Sequence, residues 1–256
     1  MTFSIWFRSI VLAVVGMFAT PALAAVVEEA NCPQEPMRLV VLGDSLADGL
    51  WGSLFRSYAR CEAVETVRLT KVSDGLAKTG ADGWLGRYAN VATELDTRRS
   101  DVVIVQIGAN DITTIRDGRS RESFSTDAWN DLYSKRVFGL TRGLKDQVLQ
   151  VYWLGLPVVG NSRFEEPYQV ISKLQKIAVR SAGGKFIDIH DLTTFGTGNF
   201  AQNGTYQGRL QQLRHSDKVH FTKSGYDFVA EQVLDDLARI SSDRDRRAAL
   251  QNVELQ

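Results

Sequence analysis

Five short runs of apolar, β-branched residues punctuate the chain, and between them the apolar positions recur at helical spacing. Arg38-Leu39-Val40-Val41-Leu42 is the first run, and Gly43-Asp44-Ser45 breaks it. From Leu46 to Arg60 the apolar residues Leu46, Leu50, Leu54 and Tyr58 fall on one helical face, so a helix is predicted to begin near Ser45. Val64–Val72 reads as a second strand, stopped by Ser73-Asp74-Gly75, with a helix over about Trp84–Leu95. Asp101–Ile107 is the clearest strand and ends in Gly108-Ala109-Asn110-Asp111. Residues 113–127 are polar and read as an excursion loop, followed by a helix over about Thr126–Gln147. Leu149–Leu156, ended by Pro157, and Lys185–Ile189 are the last two strands, with a helix over Tyr168–Ala182 between them. A polar loop over 193–216 leads to an amphipathic helix, Tyr226–Ile240, and a charged tail.

Strands alternating with helices at this spacing predict a parallel sheet covered on both faces, in one domain spanning 25–256. The crossovers are then right-handed. In such sheets the loops at the carboxyl ends of the strands build the site, and every polar motif discussed below lies on that edge.

The N-terminus differs in kind. Arg8 is followed by the apolar run Ile10–Ala19 and by Pro21-Ala22-Leu23-Ala24-Ala25, the pattern of a secretory signal peptide over 1–24, cleaved after Ala24. The alternative is a retained anchor, but the run is short of the ~20 residues a spanning helix needs. No lipobox cysteine sits at the cleavage site, so no stable membrane insertion is expected after cleavage. The expected location is therefore periplasmic or extracellular. The two cysteines, Cys32 and Cys61, would then meet an oxidising compartment, where an even count favours pairing. Such a bond would tie the leader, residues 25–37, to the end of the first helix. Lys+Arg and Asp+Glu both number 30, so no overall field draws nucleic acid or an anionic membrane to this protein.

Four blocks carry candidate chemistry. Ser45 in Gly43-Asp44-Ser45-Leu46 stands where a strand passes into a helix, with its hydroxyl at the sheet edge and its N–H in the unpaired first turn. A serine there is also an ordinary N-cap. The surrounding G-D-S-L-A is not the G-x-S-x-G elbow of other hydrolases. Asp217-Lys218-Val219-His220 places a carboxylate and an imidazole three residues apart, the arrangement of a base and its orienter. Of the other two histidines, His190 reads as a strand-end structural residue, and His215 as a loop residue or a wall of the cleft. A metal site of His215, Asp217 and His220 is the alternative. Asn110 can aim an amide N–H at a developing oxyanion or simply serve a turn. Gly75 lets a backbone N–H approach a substrate closely, or is a turn glycine.

In this order (GDSL, a glycine after the second strand, GAND, and D-x-x-H near the C-terminus) the blocks resemble those of the SGNH/GDSL hydrolases, and they span Gly43 to His220. The resemblance implies a flavodoxin-like three-layer α/β/α fold. It implies Ser45 as nucleophile, His220 as base and Asp217 as its orienter, with the Ser45 N–H, the Gly75 N–H and the Asn110 side chain as the oxyanion hole. Gly80 and Gly83 compete with Gly75 for that place. Asp44 and Asp111 read as structural supports. The stretch Gly75–Trp84, and Trp129 with Tyr133 and Arg136, are similar to an exported bacterial subgroup. No cofactor and no metal is implied.

The expected function is an extracytoplasmic serine esterase acting on short acyl esters, with an acylated small molecule or an O-acylated envelope glycan as substrate. An O-acyltransferase with the same triad and a sugar acceptor, a lipase or thioesterase, and a non-catalytic glycan-binding protein are the alternatives. The polar 193–216 loop argues against a greasy acyl groove.

Overall fold

The computed structural model describes residue 27 and residues 32–92 and 101–254. The expected signal peptide lies outside them. The first strand, β1 (Met37–Gly43), leads through Asp44 into α1 (Ser45–Ser57). Next come β2 (Val64–Thr70) and α2 (Leu76–Ala92). The third strand, β3 (Asp101–Gln106), is followed by the hairpin β4 (Ile115–Asp117) and β5 (Ser120–Glu122). Then follow α3 (Asp127–Lys145), β6 (Gln150–Leu154), α4 (Ser162–Ser181) and β7 (Lys185–Ile187). The chain closes with the hairpin β8 (Asn203–Tyr206) and β9 (Arg209–Gln212) and the long helix α5 (Lys223–Glu254).

Five strands form one sheet in the order β2-β1-β3-β6-β7, all parallel. Helices sandwich it, as the alternating pattern predicts. Leu39–Leu42 and Val102–Val105 are fully buried, which is why these strands read as unbroken apolar runs rather than alternating ones. The sheet also buries one ion pair: Arg38 Nε donates to Asp101 Oδ1 at 2.8 Å, and Tyr88 Oη donates to Asp101 Oδ2 at 2.6 Å. After β2 the chain crosses back over β1 to lay β3 on its other side. That reversal opens a crevice at the carboxyl ends of β1 and β3, where doubly wound sheets bind ligands.

Several boundaries depart from expectation. α2 begins at Leu76, not near Trp84, because a first short turn is joined to the main helix across a kink at Gly80, whose φ is +73°. α4 begins at Ser162 rather than Tyr168. Asn161 caps it by accepting from Arg163 N at 3.0 Å, and the helix runs on through Pro167. The two polar loops each contain a short antiparallel hairpin. The charged tail is a continuation of α5, and its Asp245 carboxylate accepts from the N–H groups of Gln34 and Glu35. Cys32 and Cys61 are joined in a disulfide, 29 residues apart. Both lie before the strands they precede, at the end of the sheet opposite the crevice. Among the described residues no helix is long and apolar enough to cross a membrane.

Candidate active site

At the end of β1 the helix-capping duty falls to Asp44, not to Ser45. Asp44 Oδ1 accepts from Leu46 N at 2.9 Å, and Oδ2 accepts from Gly108 N at 3.1 Å and Ala109 N at 3.0 Å. One buried carboxylate thus ties the GDSL block to the GAND block. Burial pushes its carboxyl up to about 7, although the three N–H donors pull the other way. The close approach of β1 to β3 explains Gly43, whose φ is +149° and where a Cβ would stand 1.9 Å from the Gln106 carbonyl oxygen. With capping assigned to its neighbour, the Ser45 hydroxyl is left for other work. It lies 2.8 Å from His220 Nε2.

The opposite nitrogen, His220 Nδ1, lies 2.7 Å from Asp217 Oδ2. Asp217 Oδ1 accepts from the backbone N–H groups of Val219 and His220, each at 2.9 Å. Burial acts to raise this carboxyl, but the two N–H donors and the imidazole outweigh it and hold it at about 2. The carboxylate therefore stays ionised and its orientation is fixed from its own loop. The loop turns through Lys218 at φ +63° and is closed by His215 N donating to the His220 carbonyl at 2.8 Å. Ser45 and His220 are 175 residues apart in sequence. The sheet edge and the docking of the last loop bring them together.

Beside Ser45, Asn110 Nδ2 donates to the Asp74 carbonyl at 3.0 Å. That bond uses one of the two amide hydrogens and leaves the other to give. It also brings Asn110 to the turn that carries Gly75. A Cβ at Gly75 would stand 2.0 Å from Asp111 Oδ1, so only glycine fits. Gly80 faces open space, and the Cβ position of Gly83 meets only Thr79. The Gly75 N–H itself donates to Asp74 Oδ1 at 2.8 Å. Asp111 accepts from Leu76 N at 3.2 Å, Ala77 N at 2.8 Å and Tyr133 Oη at 2.8 Å. Burial raises its carboxyl to about 6 against those donors. Arg136 takes the other side of the same turn, donating to the Leu76 and Ala77 carbonyls at 3.1 and 2.5 Å. Leu76 and Ala77, directly after Gly75, are therefore gripped at their N–H groups by Asp111 and at their carbonyls by Arg136.

The remaining histidines stand apart. His190 Nε2 lies 2.5 Å from Glu165 Oε1 and Nδ1 lies 3.1 Å from Asp191 Oδ1. These bonds tie α4 to the exit of β7. His215 meets His220 through backbone only, and its side chain is exposed. Among the described residues no group of three or more His, Cys, Asp or Glu side chains is placed to hold a metal ion. Two residues around the site were not singled out from sequence. Asp74 was read only as a strand stop. Arg214 was read as one polar residue in a polar loop, whereas it is fully buried, and no periodicity signals a buried cation in a loop.

A serine hydroxyl, an imidazole and a carboxylate in hydrogen-bond contact, beside an amide donor and a helix start, form an arrangement that can carry out acyl transfer. The family described as "Protein of unknown function (DUF459)" matches residues 38–236, most of the chain and all of this site. The chain belongs to this family. No curated protein matches the sequence. Among solved structures, the DUF459 chain is similar to a lipase/acylhydrolase from Enterococcus faecalis at 14% identity and a TM-score of 0.54, covering 79% of this chain and 95% of that one. A member of the lipolytic protein G-D-S-L family from Veillonella parvula matches at 15% identity and a TM-score of 0.50, covering 78% and 97%. A variant of Axe2, an acetyl xylan esterase from Geobacillus stearothermophilus, matches at 15% and 0.53, covering 80% and 95%. The DUF459 chain thus has the SGNH/GDSL hydrolase fold, a three-layer α/β/α arrangement on a flavodoxin-like sheet.

Proposed function

We propose that this protein is an extracytoplasmic serine esterase that hydrolyses short-chain acyl esters, with an O-acylated envelope glycan as its substrate. The observation that carries the reading is the unbroken hydrogen-bond chain from Ser45 Oγ through the His220 imidazole to the Asp217 carboxylate. Ser45 Oγ attacks the ester carbonyl carbon as its proton passes to His220 Nε2. The oxyanion that forms is met by the Ser45 N–H at the start of α1 and by the free amide hydrogen of Asn110. The Gly75 N–H joins them by sharing with, or turning from, Asp74. Collapse breaks the ester C–O bond, and the alkoxide leaves with the proton from His220. Water then attacks the acyl-enzyme with His220 as base, releasing the acid and restoring Ser45.

The disulfide supports an oxidising compartment. The side chains of His220 and Asp217 are 35% and 47% exposed, so water has access to the base. The polar β8–β9 region favours an acylated sugar over a lipid.

The test is covalent labelling. A fluorophosphonate should modify Ser45, identified by peptide mapping, and Ser45→Ala should remove ester hydrolysis while circular dichroism is unchanged. In the best-studied triad, loss of the serine costs about 10⁶ in kcat. Labelling at another residue, or an active alanine variant, refutes the assignment.

A further inference from the structure

Arg214 is fully buried, but its hydrogen bonds go to carbonyl oxygens rather than to a carboxylate. Its guanidinium donates to Val158 O at 2.7 Å, Val219 O at 2.8 Å and, more weakly, Lys218 O at 3.5 Å. It lies over the faces of Phe221 and Phe200, with Cζ 4.4 and 5.0 Å from the ring centroids, and its Nε has no partner. Burial brings its pKa down to about 10, so it remains a cation at neutral pH. A buried guanidinium placed on carbonyls is a costly arrangement unless those carbonyls need holding.

The carbonyls belong to two particular peptide units. Lys218 C=O and Val219 N–H are the two ends of one unit, and Val219 C=O and His220 N–H are the two ends of the next. Both N–H ends donate to Asp217 Oδ1. Both oxygen ends face Arg214. Each unit is held between a cation at its negative end and an anion at its positive end. Hydrogen bonds in series polarise one another, so the guanidinium strengthens the two N–H groups that hold the carboxylate. The third carbonyl, Val158, follows β6, and Gly160 N of the same segment donates to Lys218 O at 3.1 Å. Through these contacts the loop is referenced to the sheet.

We infer that Arg214 is a positioning residue: through the Lys218–Val219 and Val219–His220 peptide units it orients the Asp217 carboxylate, and Asp217 in turn orients His220. The activity part of its test rests on the esterase reading above, and the spectroscopic part does not.

The test uses the full chain with its disulfide intact and the variants Arg214→Ala and Arg214→Lys. In the wild type, a low-field proton resonance should report the His220 Nδ1–Asp217 hydrogen bond, and in Arg214→Ala it should be lost. With a p-nitrophenyl acetate substrate, kcat of Arg214→Ala should fall on the order of 10²-fold, the cost of a small misplacement in a reacting array, with KM little changed. Free guanidinium, well below denaturing concentrations, should restore a large part of that rate by entering the vacated space, whereas sodium chloride should not. A purely structural role would lower stability without a rate that guanidinium rescues. A folded Arg214→Ala with wild-type kcat, a loss confined to KM, or equal rescue by sodium chloride overturns the inference. Should Arg214→Ala fail to fold, Arg214→Lys decides. Lysine offers a point charge in place of the two-armed fork, so a reduced kcat is expected and an unchanged one overturns the inference. A wild type with no esterase activity refutes the proposed function, and the proton resonance then settles the role of Arg214 by its loss or retention in the variants.

Discussion

Replacing Asn110 by alanine separates a hydrogen bond of the fold from the oxyanion role proposed above. The amide gives one hydrogen to the Asp74 carbonyl at 3.0 Å, and in the mechanism proposed above the other meets the oxyanion. Loss of the first bond acts on the folded protein. The Asp74 carbonyl is partly buried and loses a neutral hydrogen bond, worth about 0.5–1.5 kcal/mol. Loss of the second acts on charge that exists only in the transition state, and one oxyanion donor is worth roughly 10²–10³ in kcat. The two effects have different readouts. Thermal unfolding of Asn110→Ala should fall by a few degrees, since about 1 kcal/mol moves Tm by roughly 2–4 °C in a chain of this size. Steady-state hydrolysis of p-nitrophenyl acetate should show kcat reduced by two to three orders of magnitude at nearly constant KM, which is the signature of an interaction made only in the transition state. Asn110→Asp keeps the shape but replaces the donor with a negative charge, and it should be worse than alanine in kcat. A loss carried by KM alone would make Asn110 a substrate contact. A kcat within a factor of a few of wild type, or an aspartate variant better than the alanine one, would refute the oxyanion role.

A preference for short acyl chains is expected from the polar composition of the 193–216 loop. Across p-nitrophenyl esters from acetate to palmitate, kcat/KM should fall steeply after acetate or butyrate, since each added CH₂ gains its ~0.8 kcal/mol only where apolar surface buries it. A rise through octanoate would favour a lipase. Removing the disulfide with Cys32→Ser and Cys61→Ser should lower stability by about 3–4 kcal/mol on the chain-entropy account for a closed loop of this size. It should leave kcat at 25 °C unchanged, because the bond lies at the other end of the sheet. A fall in kcat with the fold intact would contradict that placement. Stability should fall as pH drops through the range from 3.8 to about 2. Asp217, held at about 2, and Asp74, lowered by its hydrogen bonds against the opposing effect of burial, are both favoured as anions in the folded state. Asp44 and Asp111 are raised and work in the opposite sense. Their contribution is full below 3.8 and is lost as pH rises through about 6 and 7. Denaturant titrations at intervals from pH 2 to 8 should therefore show a maximum on the acidic side of neutral, and a monotonic rise to pH 8 would contradict these shifts.

The elements that place the site were legible because they are extreme in pattern. Leu39–Leu42 and Val102–Val105 are buried on both faces, so their apolar runs could not be mistaken for surface. The residues that break them are the ones that line the crevice. The Asp217–His220 spacing needs only one turn of chain, so it too was readable. Ambiguities that depended on a neighbour were not. Whether Ser45 caps α1 turned on Asp44 doing so instead, and the packing of Gly75 against Asp111, where Gly80 faces open space, depends on a residue distant in sequence. The early start of α4 was hidden by Pro167. A proline suggests a helix boundary from sequence alone, but here the cap at Asn161 had already begun the helix. The helical tail after Ile240 was hidden by its charge, which suits a solvent-facing helix as well as a loop. Asp245 of that tail holds residues before β1, a contact that no local pattern announces.

The same last helix packs against the first. Asp227 of α5 accepts from Ser53 Oγ and from the Arg56 guanidinium, both on α1, a few residues beyond the loop that carries Asp217 and His220. The helix that begins at Ser45 is therefore held in place by α5. A loop closure of this span is slow to form. As the chain emerges, the Ser45 hydroxyl exists without its imidazole partner until His220 has been made. In the proposed esterase the Ser45–His220 pair assembles only once α1 and the loop before α5 have met, so a copy in which they have not met carries a serine without its base.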